Sequence, residues 1–193
     1  MHNPTTPELF EQRRALVGIV GLGYVGVPLA VTFAQAGYKV VGFDKDARKV
    51  KRLNAGEDVI LDVEPGSVAK LRKQGRFSAT ADFKRSAKCD ALIICVPTPL
   101  DDHKEPDLEP VRSATRALAP YVRPGQIFVL ESTTYPGTTR EVLQPILEES
   151  GLKAGRDFHL GFSPERVDPG NATFKTKNTP KIISGLTPRC LLL

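Results

Sequence analysis

The strongest constraint on the fold of this chain lies between Leu16 and Asp44. An apolar run over 16–20 is followed by three glycines at the G-x-G-x-x-G spacing, and a helical pattern then closes at Gly37. We interpret this unit as a strand, a tight turn and a helix. In such a turn the first glycine makes the bend, the second lets the backbone approach a pyrophosphate, and the third lets the helix lie close to the strand. The glycines concerned are Gly21, Gly23 and Gly26.

A second apolar run, Tyr38–Phe43, follows the helix and ends in Asp44, eighteen residues beyond Gly26. An acid at this place accepts hydrogen bonds from the diol of an adenosine ribose, whereas it repels a 2′-phosphate. The sequence therefore predicts a site for NAD rather than NADP, although Lys45 and Arg48 offer countercharges to a phosphate. A glycine-rich turn in some other α/β protein is the alternative interpretation.

The length and composition of the chain limit the classes of protein to which it can belong. The chain has 193 residues, of which 40% are hydrophobic and 25% charged, which is typical of one globular domain. We predict a loose leader over 1–14, a single domain over 15–186, and the truncated start of a linker helix over 187–193. The apolar runs are too short to span a bilayer and the first residues lack the apolar region of a signal peptide, so we expect a cytoplasmic protein without a membrane segment.

The net charge and the cysteine spacing further limit the kinds of ligand and metal site that this chain can have. The net charge is +5, from 27 basic and 22 acidic residues, but the basic residues are dispersed and no nucleic-acid motif accompanies them. We therefore expect a polyanionic small molecule, and no nucleic acid, as the partner. Cys89, Cys95 and Cys190 have no metal-ligand spacing and leave an odd thiol if paired, which predicts reduced cysteines and no metal site.

The remaining chain alternates strand and helix patterns, which predicts an α/β fold of the Rossmann type, with a doubly wound, mostly parallel sheet and helices on both faces. Polar loops follow the predicted strands, and open α/β sheets bind ligands at the carboxyl ends of their strands. The further predicted strands are 77–80, 90–96, 126–130, 158–162 and the small strand KIIS at 181–184, and the further helices are 46–55, 65–74, 109–118 and 136–149.

Four motifs stand in order at these strand ends. They are GLGYVG at 21–26, CVPTP at 95–99, ESTTYPGTT at 131–139 and FSPERVDPG at 162–170. Together they resemble the N-terminal, NAD-binding domain of the UDP-glucose/GDP-mannose dehydrogenase family, from about residue 16 to 185. Members of that family oxidise the C6 hydroxymethyl group of a nucleotide sugar to a carboxylate with two NAD+ in succession.

The resemblance implies roles for residues around the cofactor. Tyr24 and Val25 would line the glycine turn, and Asp44 would hold the adenosine ribose with Lys49 beside it. Pro97, in the second motif, would be a further contact of the cofactor.

The resemblance also implies residues for chemistry and substrate binding. Thr98 and Thr133 would face the nicotinamide and the reacting carbon. Glu165 would be the carboxylate for acid/base work at the thioester stage, a role that needs it within hydrogen-bond reach of a water. Arg166 is the further substrate contact, and a loop salt bridge between Glu165 and Arg166 is the alternative to a catalytic glutamate.

The chain departs from the family pattern at two points. Glucose-type members carry a second glutamate four residues after the first, where this chain has Pro169. The PERVDPG form is similar to the branch that acts on UDP-N-acetylhexosamines, so a UDP-sugar such as UDP-GlcNAc or UDP-ManNAc is the expected substrate. The family's nucleophilic cysteine lies in a glycine-rich motif far downstream, and Cys190 does not lie in such a motif.

Three functions stay open on these grounds. The leading one is the NAD-binding portion of a UDP-sugar 6-dehydrogenase, which would not turn over by itself and whose full-length enzyme would be a homo-oligomer, while the oligomeric state of this chain alone stays open. The second is a stand-alone, non-catalytic NAD-binding module. The third is a β-hydroxyacid dehydrogenase, which shares the fold but lacks the VPTP and PERVDPG motifs.

Overall fold

A seven-stranded sheet organises the molecule. The computed structural model describes residues 6–60, 63–100, 104, 106–166 and 176–193. The strands of the sheet are β1 (Leu16–Val20), β2 (Lys39–Phe43), β3 (Phe77–Thr80), β4 (Ala91–Ile94), β5 (Ile127–Leu130), β6 (His159–Phe162) and β7 (Ser184–Gly185).

The strands lie in the order β3-β2-β1-β4-β5-β6-β7. The first six are mutually parallel, and β7 pairs antiparallel with β6. The chain moves outward from β1 to β2 and β3, then returns to lay β4 on the other side of β1, which creates the topological switch point where doubly wound sheets bind ligands. The predicted Rossmann-type fold is confirmed.

Helices cover both faces of the sheet. Among the helices that the structure describes, none is both long and apolar enough to cross a membrane. The α-helices are α1 (Thr6–Glu11), α2 (Gly26–Gln35), α3 (Ala47–Ala55), α4 (Ser67–Lys73), α5 (Glu109–Leu118), α6 (Gln144–Glu148) and α7 (Pro188–Leu192). Two 3-10 helices, Phe83–Lys88 and Ala119–Tyr121, and a π-helical turn, Thr139–Leu143, complete the described helical structure.

The core has two layers, one on each face of the sheet, because side chains of a strand alternate between faces. In β1, Val17 and Ile19 belong to one layer and Val20 to the other. A Cβ added at Gly18 would lie 2.7 Å from a side-chain carbon of Leu92 on the neighbouring strand. Burial on both faces explains why the strands read as nearly unbroken apolar runs.

The N-terminal residues differ from the loose leader predicted over 1–14. From Thr6 the chain forms α1, and the Phe10 and Tyr38 rings contact each other with their centroids 5.8 Å apart. The Tyr38 hydroxyl donates to the Phe10 carbonyl at 3.0 Å, and the Thr6 hydroxyl donates to the Gly125 carbonyl at 2.9 Å. The polar composition of the segment concealed the aromatic contact, which needs a partner 28 residues away.

The helix predicted over 136–149 is divided in the structure. Its first part is the π-helical turn, in which the Gln144 N–H bonds to the Thr139 carbonyl, and α6 follows directly. Pro145 has no N–H to donate and its ring clashes with a carbonyl four residues earlier, so the regular α-helical ladder cannot run through this point.

The strand predicted over 181–184 differs from β7, which comprises Ser184 and Gly185, the residues that pair with β6. Ile182 and Ile183 before it are 62% and 66% exposed.

A polar cluster ties the amino ends of the central strands together. The Arg123 guanidinium donates to the carbonyls of Ala87 and Cys89 and to Asp90 Oδ1, the last at 2.7 Å. The other carboxylate oxygen of Asp90 accepts from the Leu16 N–H at 2.8 Å. This Arg123 cluster therefore joins the beginnings of β1, β4 and β5 at the edge of the sheet that lies opposite the strand-end loops.

Candidate functional site

A cleft of about 510 Å³ opens at the carboxyl ends of β1, β2, β4 and β5. Its position at the switch point between β1 and β4 is the one expected for a dinucleotide site. The cleft brings together most of the residues that the sequence singled out. Those that line it are Gly21, Gly23, Tyr24, Val25, Asp44, Lys49, Pro97, Thr98, Thr133 and Glu165. Gly26 and Arg166, the other two predicted site residues, lie outside its described lining.

The three glycines of the turn differ in what surrounds them. Gly21 has φ +93°, a backbone conformation that favours glycine. A Cβ at Gly26 would lie 1.8 Å from the Gly21 carbonyl oxygen, so α2 reaches the turn only because this position has no side chain. A Cβ at Gly23 would meet no described atom within 4 Å, since it would point into open space. The backbone at Gly23 is thus accessible to a ligand.

The carboxylate of Asp44 is held by three donors. Its Oδ2 accepts from the Leu22 N–H at 3.0 Å and from Lys49 Nζ at 2.7 Å, and its Oδ1 accepts from the Asp46 N–H at 2.9 Å. Asp44 is 8% exposed, whereas the Lys49 side chain is 32% exposed. The acid at the end of β2 therefore also fixes the glycine turn through Leu22, a structural role that the spacing of the motif did not reveal.

The position of Lys49 follows from helix α3. Asp46 caps this helix by accepting from the Arg48 and Lys49 N–H groups at 2.9 and 3.3 Å. The same backbone contacts lower the pKa of the Asp46 carboxyl. The cap directs the first turn of α3 toward the end of β2 and so brings Lys49 beside Asp44.

Two strand-end loops meet at the other end of the cleft. The Thr98 hydroxyl donates to the Thr133 carbonyl at 2.6 Å, and the Ser132 hydroxyl donates to the Val96 carbonyl at 2.8 Å. These bonds join the loop after β4 to the loop after β5. Tyr24, from the glycine turn, borders the cleft with half of its surface exposed, while Val25 beside it is buried.

Glu131 is a lining residue that the sequence reasoning missed. It is 5% exposed at the end of β5, and its carboxylate forms an ion pair with Lys181. Burial raises the pKa of Glu131, and the bond from Lys181 opposes that shift. Glu131 begins the ESTTYPGTT motif, so the motif itself was the available signal, but its partner lies fifty residues later.

Glu165 lines the cleft after β6, and its Oε1 accepts from the Arg166 backbone N–H at 2.7 Å. The contact with Arg166 that the structure describes therefore involves the backbone N–H. Residues 167–175, which include Pro169 of the fourth motif, lie outside the described residues.

The three cysteine thiols are buried. Burial raises the pKa of Cys89 to about 12 and raises that of Cys95 well above its usual range. Cys190 lies in α7, where its sulfur is 3.7 Å from His159 Nδ1. Because the thiolate is the nucleophilic form, burial makes Cys89 and Cys95 poor nucleophiles.

Comparison with known proteins agrees with this geometry. Residues 15–191 match the family model described as the UDP-glucose/GDP-mannose dehydrogenase family, NAD binding domain. The chain belongs to that family. The match confirms the resemblance on the four motifs and identifies NAD as the cofactor of this domain.

Individual members of the UDP-glucose/GDP-mannose dehydrogenase family are similar over most of the chain. UDP-N-acetyl-D-glucosamine 6-dehydrogenase of Pseudomonas aeruginosa is 42% identical over 173 residues, which are 89% of this chain and 40% of that protein. UDP-N-acetyl-D-mannosamine dehydrogenase of Yersinia pestis is 33% identical over 90% of this chain and 43% of its own length. This chain thus spans about two-fifths of the length of these curated relatives.

The fold of the family is also matched by solved structures. The crystal structure of NDP-N-acetyl-D-galactosaminuronic acid dehydrogenase from Methanosarcina mazei superposes with a TM-score of 0.83 at 36% identity, covering 98% of this chain and 43% of that one. The residues of the cleft suit the cofactor of this family. Open space faces Gly23, where a pyrophosphate needs the backbone, and a buried carboxylate stands at the end of β2.

Proposed function

We propose that this chain is the NAD-binding portion of a nucleotide-sugar 6-dehydrogenase that oxidises the C6 hydroxyl of a UDP-N-acetylhexosamine to a carboxylate. The observation that carries the proposal is the cleft, which gathers the glycine turn and the loops after β4, β5 and β6 at one edge of the sheet. The names of the relatives, which act on UDP-N-acetylglucosamine and UDP-N-acetylmannosamine, support the substrate class.

The end of the cleft at Asp44 and Lys49 is the proposed adenosine site. Asp44 accepts from a ribose hydroxyl while Leu22 and Asp46 hold its carboxylate in place. The glycine turn and the first turn of α2 face the pyrophosphate with N–H groups. A 2′-phosphate would meet the Asp44 carboxylate, which favours NAD over NADP, and the nearby Lys49 reduces that repulsion.

The opposite end of the cleft is the proposed site of chemistry. Bound NAD+ supplies the hydride acceptor for each of the two oxidations. We assign to Pro97, Thr98 and Thr133 the positioning of the nicotinamide and the reacting carbon. Glu165 acts as the acid/base carboxylate, and Arg166 next to it contacts the substrate.

The chain of 193 residues is proposed to bind cofactor without turnover. The second oxidation needs the aldehyde held as a thiohemiacetal on a thiolate, from which a hydride leaves to form a thioester. Burial disfavours the thiolate of Cys89 and Cys95, and Cys190 is 7% exposed in α7. The family resemblance places the nucleophile in a motif downstream of the residues present in this chain.

Calorimetric titration of the purified chain with NAD+, NADP+ and UDP-N-acetylhexosamines tests the proposal. We expect NAD+ to bind more tightly than NADP+, and NADH absorbance to stay flat when NAD+ and each UDP-sugar are supplied together. Sustained NADH formation that Glu165→Gln abolishes would show that the chain contains its own nucleophile. Failure of the folded chain to bind NAD+ would remove the proposed function.

A further inference from the structure

Glu131, which forms an ion pair with Lys181, is a charged lining residue of the cleft that the proposed function has not used. Glu131 ends β5, and Lys181 lies in the segment that returns to the sheet before β7. The side chains are 5% and 25% exposed, respectively. An ion pair shielded to this degree from water interacts more strongly than one on the surface, but it also costs desolvation energy, so its presence in a ligand cleft calls for a functional reason.

Of the two charged groups, it is the Glu131 carboxylate that faces the cleft. Glu131 lines the cleft, whereas Lys181 is absent from the part of the lining that the structure describes. Glu165 lines the same cleft, and the charges of Glu131, Glu165 and Lys181 all act on the thiol of Cys95. That thiol is uncharged, because burial opposes its ionisation. Glu131 therefore presents its carboxylate from the wall of the cleft, where a ligand would meet it.

The position of this wall fixes which half of a dinucleotide it faces. With the adenosine half at the end of β2, a dinucleotide that crosses the switch point places its other half over the ends of β4 and β5. The nicotinamide ring carries a positive charge in NAD+ and none in NADH. A carboxylate held in a partly buried wall therefore interacts differently with the two redox states of the same ligand.

We propose that Glu131 makes the cleft prefer oxidised over reduced nicotinamide dinucleotide, and that Lys181 holds the carboxylate of Glu131 in the wall. The preference favours capture of NAD+ and release of NADH, which suits a reaction that uses two molecules of NAD+ in succession. This inference rests on the proposed placement of NAD in the cleft.

The test compares three ligands on two chains. NAD+, NADH and ADP-ribose, which lacks the nicotinamide, are titrated onto the native chain and onto Glu131→Gln at about pH 8, a pH chosen several units above the ordinary carboxyl pKa because burial raises the pKa of Glu131. Glutamine keeps the size of the side chain and still accepts from Lys181. We expect the native chain to bind NAD+ more tightly than NADH, and the variant to lower the ratio of Kd for NADH to Kd for NAD+ on the order of tenfold, as for one unit charge a few ångströms away.

Controls separate this effect from a change of fold. The affinity for ADP-ribose is expected to be the same in both chains, because the adenosine end is untouched. Glu149→Gln makes the same change of charge at an exposed position outside the cleft, and its ratio of affinities is expected to equal that of the native chain.

Each outcome decides a different question. If the native chain binds NADH at least as tightly as NAD+, the inference is overturned, whether or not the variant folds. The same holds if Glu131→Gln binds all three ligands with the native ratios. If ADP-ribose and NAD+ both fail to bind the folded native chain, the proposed function itself fails, and the inference falls with it.

Discussion

The two ends of the cleft each hold a buried acid beside a lysine, but the acids are secured in different ways. Asp44 and Lys49 are five residues apart, and the carboxylate of Asp44 also accepts from two backbone N–H groups. Glu131 and Lys181 are fifty residues apart, and Lys181 is the partner found for Glu131 among the described residues. The proposed adenosine end is thus stabilised locally, whereas the proposed nicotinamide end depends on a contact between distant parts of the chain.

The largest effect is expected where the two ends join, at the glycine turn. Gly23→Val should reduce the affinity for both NAD+ and ADP-ribose at least about a hundredfold, because a side chain there would occupy the space that the pyrophosphate needs. The variant should fold, since a Cβ at Gly23 has no described neighbour within 4 Å. Calorimetry and circular dichroism measure the two results. A folded Gly23→Val chain with normal affinity would show that the turn does not face the ligand.

The matched control is Gly26→Ala, which adds a methyl group to the same motif. Its Cβ would lie 1.8 Å from the Gly21 carbonyl oxygen, so α2 must move away from the turn. We expect this variant to lower the unfolding temperature of the unliganded chain, unlike Gly23→Val.

The same substitution at each lysine compares the two acids directly. Lys181→Met should lower the free energy of unfolding by about 2–3 kcal/mol, because it leaves the buried Glu131 carboxyl group without its partner. Lys49→Met should cost about 1 kcal/mol or less, because Leu22 and Asp46 still donate to Asp44. Urea unfolding of the two variants measures the difference. Equal losses of unfolding free energy in the two variants would show that the backbone N–H groups at Asp44 do not make it less dependent on its lysine than Glu131 is.

Removal of Asp44, the acid at the proposed adenosine end, should weaken binding and also loosen the glycine turn that Leu22 ties to it. Asp44→Ala is expected to weaken NAD+ and ADP-ribose by the same amount, about 1–2 kcal/mol, because a charge-assisted hydrogen bond to the ribose is lost. Asp46→Ala is the comparison, since it removes the cap of α3 that places Lys49 beside Asp44, and it should lower stability while weakening affinity less than Asp44→Ala does. Titration calorimetry checks both. An Asp44→Ala chain with native affinity would move the ribose away from this acid.

The smallest effect is a difference in pH dependence. Burial raises the pKa of Glu131 above its ordinary value of 4.5, so the folded chain holds this proton more readily than the unfolded chain does. Ionisation of Glu131 therefore lowers the stability of the native chain as pH rises through the folded pKa, and Glu131→Gln lacks that loss. Between about pH 5 and about pH 8, the free energy of unfolding of the variant should rise relative to that of the native chain. Urea unfolding at both pH values tests the sign, and a relative fall would contradict it.

The local end of the cleft was also the predictable end. The glycine spacing, the second strand and Asp44 lie within one βαβ unit, whose geometry is constrained by neighbouring residues, and Lys49 follows one turn into the next helix. No comparable rule connects Glu131 to Lys181, because their meeting depends on how the chain returns after β6. Glu131 is the first residue of the ESTTYPGTT motif, but the motif does not indicate that its partner is Lys181.

The same limit explains the errors in the fold. α1 is stabilised by the contact of Phe10 with Tyr38, and β7 consists of the two residues that pair with β6. Both depend on tertiary contacts that periodicity does not report. The π-helical turn, in contrast, could have been predicted locally from Pro145, which interrupts an α-helix. The prediction of one continuous helix did not take the proline into account.

The Arg123 cluster has a consequence for how such a protein can diversify. It binds β1, β4 and β5 together through carbonyls and one carboxylate at the edge of the sheet that carries none of the cleft residues. The residues that hold the strands together and the residues that line the cleft therefore lie at opposite ends of the same strands. Loops at the carboxyl ends can be exchanged to suit another ligand while the opposite edge keeps the architecture constant, so ligand preference can change in evolution without a loss of the fold.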